Sequence, residues 1–133
     1  MATAEKTIIV VEDEPDTAEM FAEMMRLNGY QVIKSYGGET AVSLIARERP
    51  DAVVLDIMMP DLSGLEVLRI LRNDPDLASI PVIVVSAKSL TSDIKHGMDA
   101  GASVYLAKPV AFMDLIAAVE NAIRISEQKA TGK

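Results

Sequence analysis

The chain has 133 residues, half of them hydrophobic and 25% charged, the composition of one globular domain rather than of a disordered or fibrous chain. It has no cysteine, so disulfides and thiolate metal sites are excluded. Thirteen basic residues against twenty acidic ones leave a net charge of −7, which argues against non-specific binding of nucleic acid or anionic membrane.

Residues 1–7 carry no apolar run of signal-peptide length, and no stretch approaches the roughly 18 apolar residues of a membrane helix. A cytoplasmic protein is expected. Residues 7–11 (TIIVV) are short and β-branched and predict a buried strand. Glu12-Asp13-Glu14-Pro15-Asp16 follows. The next segment predicts a helix, because Ala18, Phe21, Ala22 and Met25 recur at i, i+3, i+4, i+7. Pro15 suits its first turn and Gly29 its stop. Residues 31–34 predict a weak second strand, and residues 39–48 a second helix with Ala41, Leu44 and Ile45 on one face.

Residues 52–55 (AVVL) give the clearest central strand, and Asp56 ends it. A loop over residues 58–64 holds Pro60, Asp61 and Gly64. A third helix covers residues 65–72 and is closed by Asn73-Asp74-Pro75. Residues 81–85 (PVIVV) predict a fourth strand running into Ser86. A fourth helix is expected over about residues 92–100, with Ile94 and Met98 facing inward. Residues 103–106 predict the fifth strand, followed by Lys108-Pro109. The last helix is strongly periodic at Phe112, Leu115, Ile116, Val119 and Ile123. One domain is expected to span residues 1–126, with residues 127–133 as a polar, frayed tail.

Five strands alternating with five helices, joined by short loops, predict an α/β fold: a doubly wound parallel sheet with helices on both faces. Such sheets bind ligands at the carboxyl ends of their strands. Four of the five strands deliver a polar group to that edge: Glu12 and Asp13, Asp56, Ser86 and Lys108. A turn or helix-start role explains any one acid alone. It does not explain three carboxylates, a hydroxyl and a lysine together. Three repelling carboxylates suit a hard cation with oxygen ligands, and Mg²⁺ fits because it takes few protein carboxylates and keeps phosphate oxygens and waters. A lysine balances the remaining charge or pairs with an incoming anion. Catalysis of phosphoryl transfer is mostly positioning and charge neutralisation, and a carboxylate can itself be the nucleophile.

IIVVEDEPD, VVLDIMMPDLSG, PVIVVSA and YLAKP, in that order, resemble the successive motifs of response-regulator receiver domains, over about residues 8–125. The resemblance implies a flavodoxin-like (βα)5 fold with strand order 2-1-3-4-5. It implies Asp56 as the phosphoacceptor, Asp13 as the metal-binding acid with Glu12 its acidic neighbour, and the Met58 backbone carbonyl as the third protein ligand of Mg²⁺ (Mn²⁺ could replace it). Ser86 matches the hydroxyl that bonds the phosphoryl group, and Lys108 the lysine that contacts its oxygens. The bond before Pro109 matches a cis peptide. Tyr105 matches an aromatic switch position that rotates in behind Ser86 on phosphorylation. Met58 and Lys88 match the two positions that flank the acyl phosphate and tune its hydrolysis. The implied partners are a sensor histidine kinase or histidine phosphotransfer protein, and a downstream protein docking on helix four, strand five and helix five. The family is a signalling switch, not a turnover enzyme.

Duller readings stand beside these. Glu14 and Asp16 favour a helix dipole, Asp61 is read as a turn residue, and the lone His96 supports neither a metal site nor a triad. Met20, Met24 and Met25 read as helix packing. A phosphatase of the haloacid dehalogenase type would want a second Asp two residues after the nucleophile, where Met58 stands. A flavodoxin-like cofactor carrier would want a Gly/Ser/Thr-rich loop after strand one, where the acids stand. A scaffold receiver that has lost phosphorylation would not need the complete acid, hydroxyl and lysine set. Whether the chain is a diffusible output, a relay intermediate or a piece of a larger regulator or hybrid kinase stays open.

Overall fold

A computed structural model describes residues 5–131. The elements alternate throughout: β1 (Thr7–Val11), α1 (Pro15–Leu27), β2 (Gln31–Ser35), α2 (Gly38–Glu48), β3 (Ala52–Leu55), α3 (Gly64–Asn73), β4 (Val82–Ser86), α4 (Thr91–Ala100), β5 (Val104–Ala107) and α5 (Phe112–Thr131). The strands form one parallel sheet in the order β2-β1-β3-β4-β5, the expected order. The chain therefore winds both ways from β1, and β1 and β3 are neighbours although β2 lies between them in sequence.

The period-2 geometry of a strand splits the core into two halves. On one face Ile8, Val10, Ala52, Val54, Ile83 and Val85 pack against Phe21 and Met25 of α1 and Leu115, Ile116 and Val119 of α5. On the other, Ile9, Val11, Val53, Leu55, Val82 and Val84 pack against Ala41 and Ile45 of α2 and Val67, Leu68 and Leu71 of α3. Each fully buried Val, Leu or Ile is worth roughly 1.5–3 kcal/mol, so these two layers hold the fold. Near-continuous apolar strands are what a sheet covered on both faces requires.

Local signals set the helix starts. Glu14 caps α1 by accepting from Thr17 N at 2.7 Å, with Pro15 in the first turn. Ser63 and Glu66 form a capping box on α3. The half-buried Arg72 closes the far end of α3: its Nε donates to Gly101 O at 2.9 Å, and its Nη1 to Ala78 O at 3.1 Å and Ile80 O at 2.7 Å.

Two expectations fail. Ile94 and Met98 are 37% and 44% exposed, and the buried residue of α4 is Gly97, against which the Tyr105 ring packs. The ring fills the inward position that the hydrophobic pattern assigned to Ile94 and Met98. The expected fraying after residue 126 is also not seen, since α5 runs on through residues 127–131. Ala122 and Ile123 dock its later turns on the sheet, and helical hydrogen bonding propagates beyond them. Phe112, at the start of the periodic stretch, is half-exposed. Among the described residues no helix is long and apolar enough to cross a membrane.

Candidate functional site

The carboxyl ends of β1, β3, β4 and β5 bring the predicted polar residues to one rim. Val11 and Leu55 are register partners, and the next residue on each strand is an acid. Glu12 N donates to Ser35 O at 2.9 Å and Asp56 N donates to Val11 O at 3.0 Å. These sheet bonds fix the backbone of both acids. They are nearly as buried as the core beneath them, Glu12 at 2% and Asp56 at 6% exposure. Asp13 is half-buried, and carboxylate oxygens of Glu12, Asp13 and Asp56 all lie within 4.8 Å of one another.

Lys108, at the end of β5, reaches into this cluster. Its Nζ is 2.8 Å from Glu12 Oε1 and 3.3 Å from Asp56 Oδ2. The Phe21 ring of α1 lies beneath it, 5.9 Å from Nζ to the centroid, within cation–π range. Burial alone would lower the Lys108 pKa, but the hydrogen bond to Glu12 and the Asp56 and Glu12 charges outweigh it and raise the pKa above its ordinary value. Burial pushes the Glu12 carboxyl up, and the Asp56 charge adds to the push while Lys108 opposes it. One ammonium thus faces three carboxylates, and the rim carries an excess of buried negative charge. Hard oxygen donors at this spacing, with charge left to neutralise, fit a small divalent cation such as Mg²⁺.

The Asp56 carboxylate is oriented from two sides: Oδ1 accepts from Met58 N at 3.1 Å, and Oδ2 faces Lys108. The Met58 side chain is 51% exposed at the mouth. Ser86 is fully buried at the end of β4, and its Oγ accepts from Lys88 N at 3.1 Å. The carbonyl of the same Lys88 accepts from the Tyr105 hydroxyl at 2.6 Å. The Lys88 backbone therefore links Ser86 to Tyr105, while its side chain is exposed. Burial raises the Tyr105 phenol, and the Asp93 and Asp56 charges add to it. The Lys108–Pro109 bond is cis.

Sequence reasoning missed two contributors. Phe21 was visible only as an apolar position of α1, because nothing local ties it to a lysine late in the chain. Asp61 is more than a turn residue. Its carboxylate accepts from Gly38 N at 3.1 Å and Glu39 N at 3.2 Å, at the start of α2. The available signal was the Gly37-Gly38 pair, which leaves a helix start without a side-chain cap of its own.

Comparison with known proteins agrees with this geometry. A family described as the response regulator receiver domain matches residues 8–120. The response regulator MprA of Mycolicibacterium vanbaalenii is 44% identical over 117 residues, covering 88% of this chain and 50% of that protein; MprA of Mycobacterium avium is 42% identical over the same span. The chain thus spans about half the length of the curated relatives it matches. Among solved structures, the receiver domain of Francisella response regulator 1452 superposes with a TM-score of 0.86 at 30% identity, over 92% of this chain and 99% of that one. The receiver domain of the sensor histidine kinase PA1611 from Pseudomonas aeruginosa, solved with a magnesium ion coordinated in its active site cleft, superposes with a TM-score of 0.84 at 31% identity, over 91% and 99%.

Proposed function

The chain belongs to the response regulator receiver family of two-component signalling, and from that premise we propose that it accepts a phosphoryl group on Asp56 in a Mg²⁺-dependent reaction and thereby switches a protein-binding surface. The observation that carries this reading is the buried Asp56 carboxylate, held by Met58 N–H on one oxygen and facing the Lys108 ammonium with the other, beside Glu12 and Asp13.

The donor is a phosphohistidine on a sensor kinase or phosphotransfer protein. An Asp56 carboxylate oxygen attacks the phosphorus. The P–N bond breaks, its electron pair goes to the imidazole, and the product is an acyl phosphate on Asp56. Asp13, Asp56 and the Met58 carbonyl are the residues that would hold the metal, with Glu12 its acidic neighbour. The bound cation (Mg²⁺, or Mn²⁺ in its place) would neutralise charge on the phosphoryl oxygens. Lys108 releases the carboxylate and pairs with a phosphoryl oxygen, so its charge stays compensated throughout. Ser86 donates its hydroxyl to another phosphoryl oxygen. That withdraws Ser86 from Lys88 N, and the Ser86–Lys88–Tyr105 chain of hydrogen bonds transmits the change to β5 and α4. The acyl phosphate need only favour one pre-existing state by a few kcal/mol. Exposed Leu90, Ile94 and Met98 then belong to the α4–β5–α5 face that meets a downstream protein, in the cytoplasm.

Half-exposed Met58 partly shields Asp56 from attacking water, while Lys88 lies two residues after Ser86 at the same mouth. Met58→Asn should speed loss of the phosphoryl group, and an unchanged rate overturns that role. The primary test is intact mass after incubation with acetyl phosphate, with and without Mg²⁺, beside Asp56→Asn. The expected outcome is a gain of one phosphoryl mass that needs both the metal and Asp56. No gain by folded protein from acetyl phosphate or from a cognate kinase overturns the proposal and leaves a scaffold receiver.

A further inference from the structure

The start of α2 is built without a cap of its own. Its N-cap residue is Gly37, which makes no side-chain hydrogen bond, yet a helix start leaves backbone N–H groups that need partners. Two of them are satisfied from elsewhere in the chain. Asp61, in the loop between β3 and α3, gives Oδ1 to Gly38 N at 3.1 Å and Oδ2 to Glu39 N at 3.2 Å. These bonds, Gly38 first, hold the Asp61 carboxyl below the usual carboxylate range. The packing around them is tight. A Cβ at Gly38 would lie 2.3 Å from Leu62 O and 2.8 Å from Leu62 Cβ, and one at Gly37 would lie 3.0 Å from Asp61 Oδ2. Gly38 leaves no room for a side chain against the loop backbone, and a side chain at Gly37 would press on the Asp61 carboxylate.

The same loop carries the candidate metal ligand that is not a carboxylate. Its base is pinched by Ile57 O, which accepts from Met59 N at 3.2 Å and from Gly64 N at 2.9 Å. Gly64 passes so close to Asp56 that a Cβ there would lie 2.3 Å from Asp56 O. Asp61 fastens the far part of the loop to α2. Met58 lies between these two anchors with its side chain half-exposed, so its backbone is placed by the anchors and by the bond from Met58 N to Asp56 Oδ1 rather than by its own burial. The backbones of Glu12 and Asp56 are placed differently, by β1 and β3 and the sheet bonds at their ends, and Asp13 follows Glu12 directly. Loosening the loop would therefore act on the Met58 carbonyl and, through Met58 N, on Asp56 Oδ1, and leave the backbone of Glu12 and Asp56 held by the sheet.

We propose that Asp61 is a positioning residue for the metal site: by capping α2 from outside, it clamps the 57–64 loop so that the Met58 carbonyl is presented to the cation. The inference rests on the reading of this rim as a Mg²⁺ site, and adds to it a residue that touches neither metal nor phosphoryl group. Groups that orient a metal ligand without touching the metal typically change affinity by about 10- to 100-fold. A backbone carbonyl loosened but not removed belongs at the low end.

The test is a Mg²⁺ titration of the metal-free chain followed by backbone amide NMR, on the native sequence, Asp61→Ala, Asp61→Asn, Glu39→Gln and Ile45→Val. Asp61→Ala should weaken Mg²⁺ about tenfold, with Asp61→Asn in between because it keeps an acceptor. Glu39→Gln removes an exposed acid from the same helix start without touching the clamp, and should bind like the native chain. Ile45→Val loosens the core side of α2, and should lower the melting temperature while leaving Mg²⁺ affinity unchanged. At saturating Mg²⁺, Asp61→Ala should recover the native phosphorylation rate with acetyl phosphate. Binding by Asp61→Ala within about twofold of native overturns the clamp, as does equal weakening in Ile45→Val or Glu39→Gln. Absence of any Mg²⁺ response in the native chain overturns the metal site itself, and the clamp with it.

Discussion

Lys108 and Arg72 are both half-buried cations, placed at opposite ends of the sheet. Lys108 lies at the carboxyl end and meets two carboxylates, Glu12 and Asp56. Arg72 lies before β4 and β5 and meets three backbone carbonyls, those of Ala78, Ile80 and Gly101. Their pKa shifts run in opposite directions. That of Lys108 is raised because its acid partners outweigh burial, and that of Arg72 is lowered by burial alone. The Arg72 guanidinium satisfies fixed acceptors with fixed geometry and has no exchangeable partner, which makes it a clamp. The Lys108 ammonium sits against two carboxylates, one of which is the proposed phosphoacceptor. Burial of a cation therefore does not announce function; the nature of its partner does.

Substitution should separate the two ends. The largest effect is expected for Arg72→Ala, which strips donors from three carbonyls at once. We expect a loss of about 3 kcal/mol in urea unfolding, with the folded fraction still accepting a phosphoryl group. A loss below about 1 kcal/mol would remove the clamp reading. Next, Asp56→Asn should act with the opposite sign and raise stability by about 1 kcal/mol in metal-free buffer, because it relieves repulsion with Glu12 and Asp13. Added Mg²⁺ should stabilise the native protein more than this variant, and thermal unfolding with and without the ion checks both statements.

Glu12 gives the pH signature of the same rim. Its folded-state pKa is raised, so its contribution to stability is present at low pH and lost as pH rises from the usual carboxylate range through the raised value. Metal-free native protein should therefore gain stability from this group on mild acidification, and Glu12→Gln should remove that part of the slope. Equal urea profiles for both proteins across the mildly acidic range would contradict the burial argument. The smallest effect belongs to the surface. Lys95 and Asp99 pair at i,i+4 on α4 at 2.9 Å, both largely exposed, and Asp99→Ala should cost no more than about 0.5 kcal/mol.

The polar rim was legible to the extent that it was written in strand ends. Glu12, Asp13, Asp56, Ser86 and Lys108 each follow an apolar run, and a parallel sheet with covered faces must bring such positions to one edge. Phe21 and the α2 cap by Asp61 were not legible, because each acts on a partner distant in sequence, and Arg72 was not because its partners are backbone carbonyls, which any residue carries. Ile94 and Met98 were misplaced for a related reason. Hydrophobic period identifies a helix, but the inward face of α4 is occupied by the Tyr105 ring against Gly97.

By itself the sequence determined the alternation of strands and helices, the two-faced burial of the strands and the identity of the groups at the carboxyl rim. These follow from period, apolar run length and chain order, all local properties. Only the tertiary structure decided the partners: Lys108 over Phe21 and between two acids, Lys88 as a backbone link from Ser86 to Tyr105, Asp61 as the cap of α2, and the continuation of α5 to Thr131. Those depend on which side chains meet once the layers have packed, and contact between residues far apart in the chain leaves no mark on local sequence.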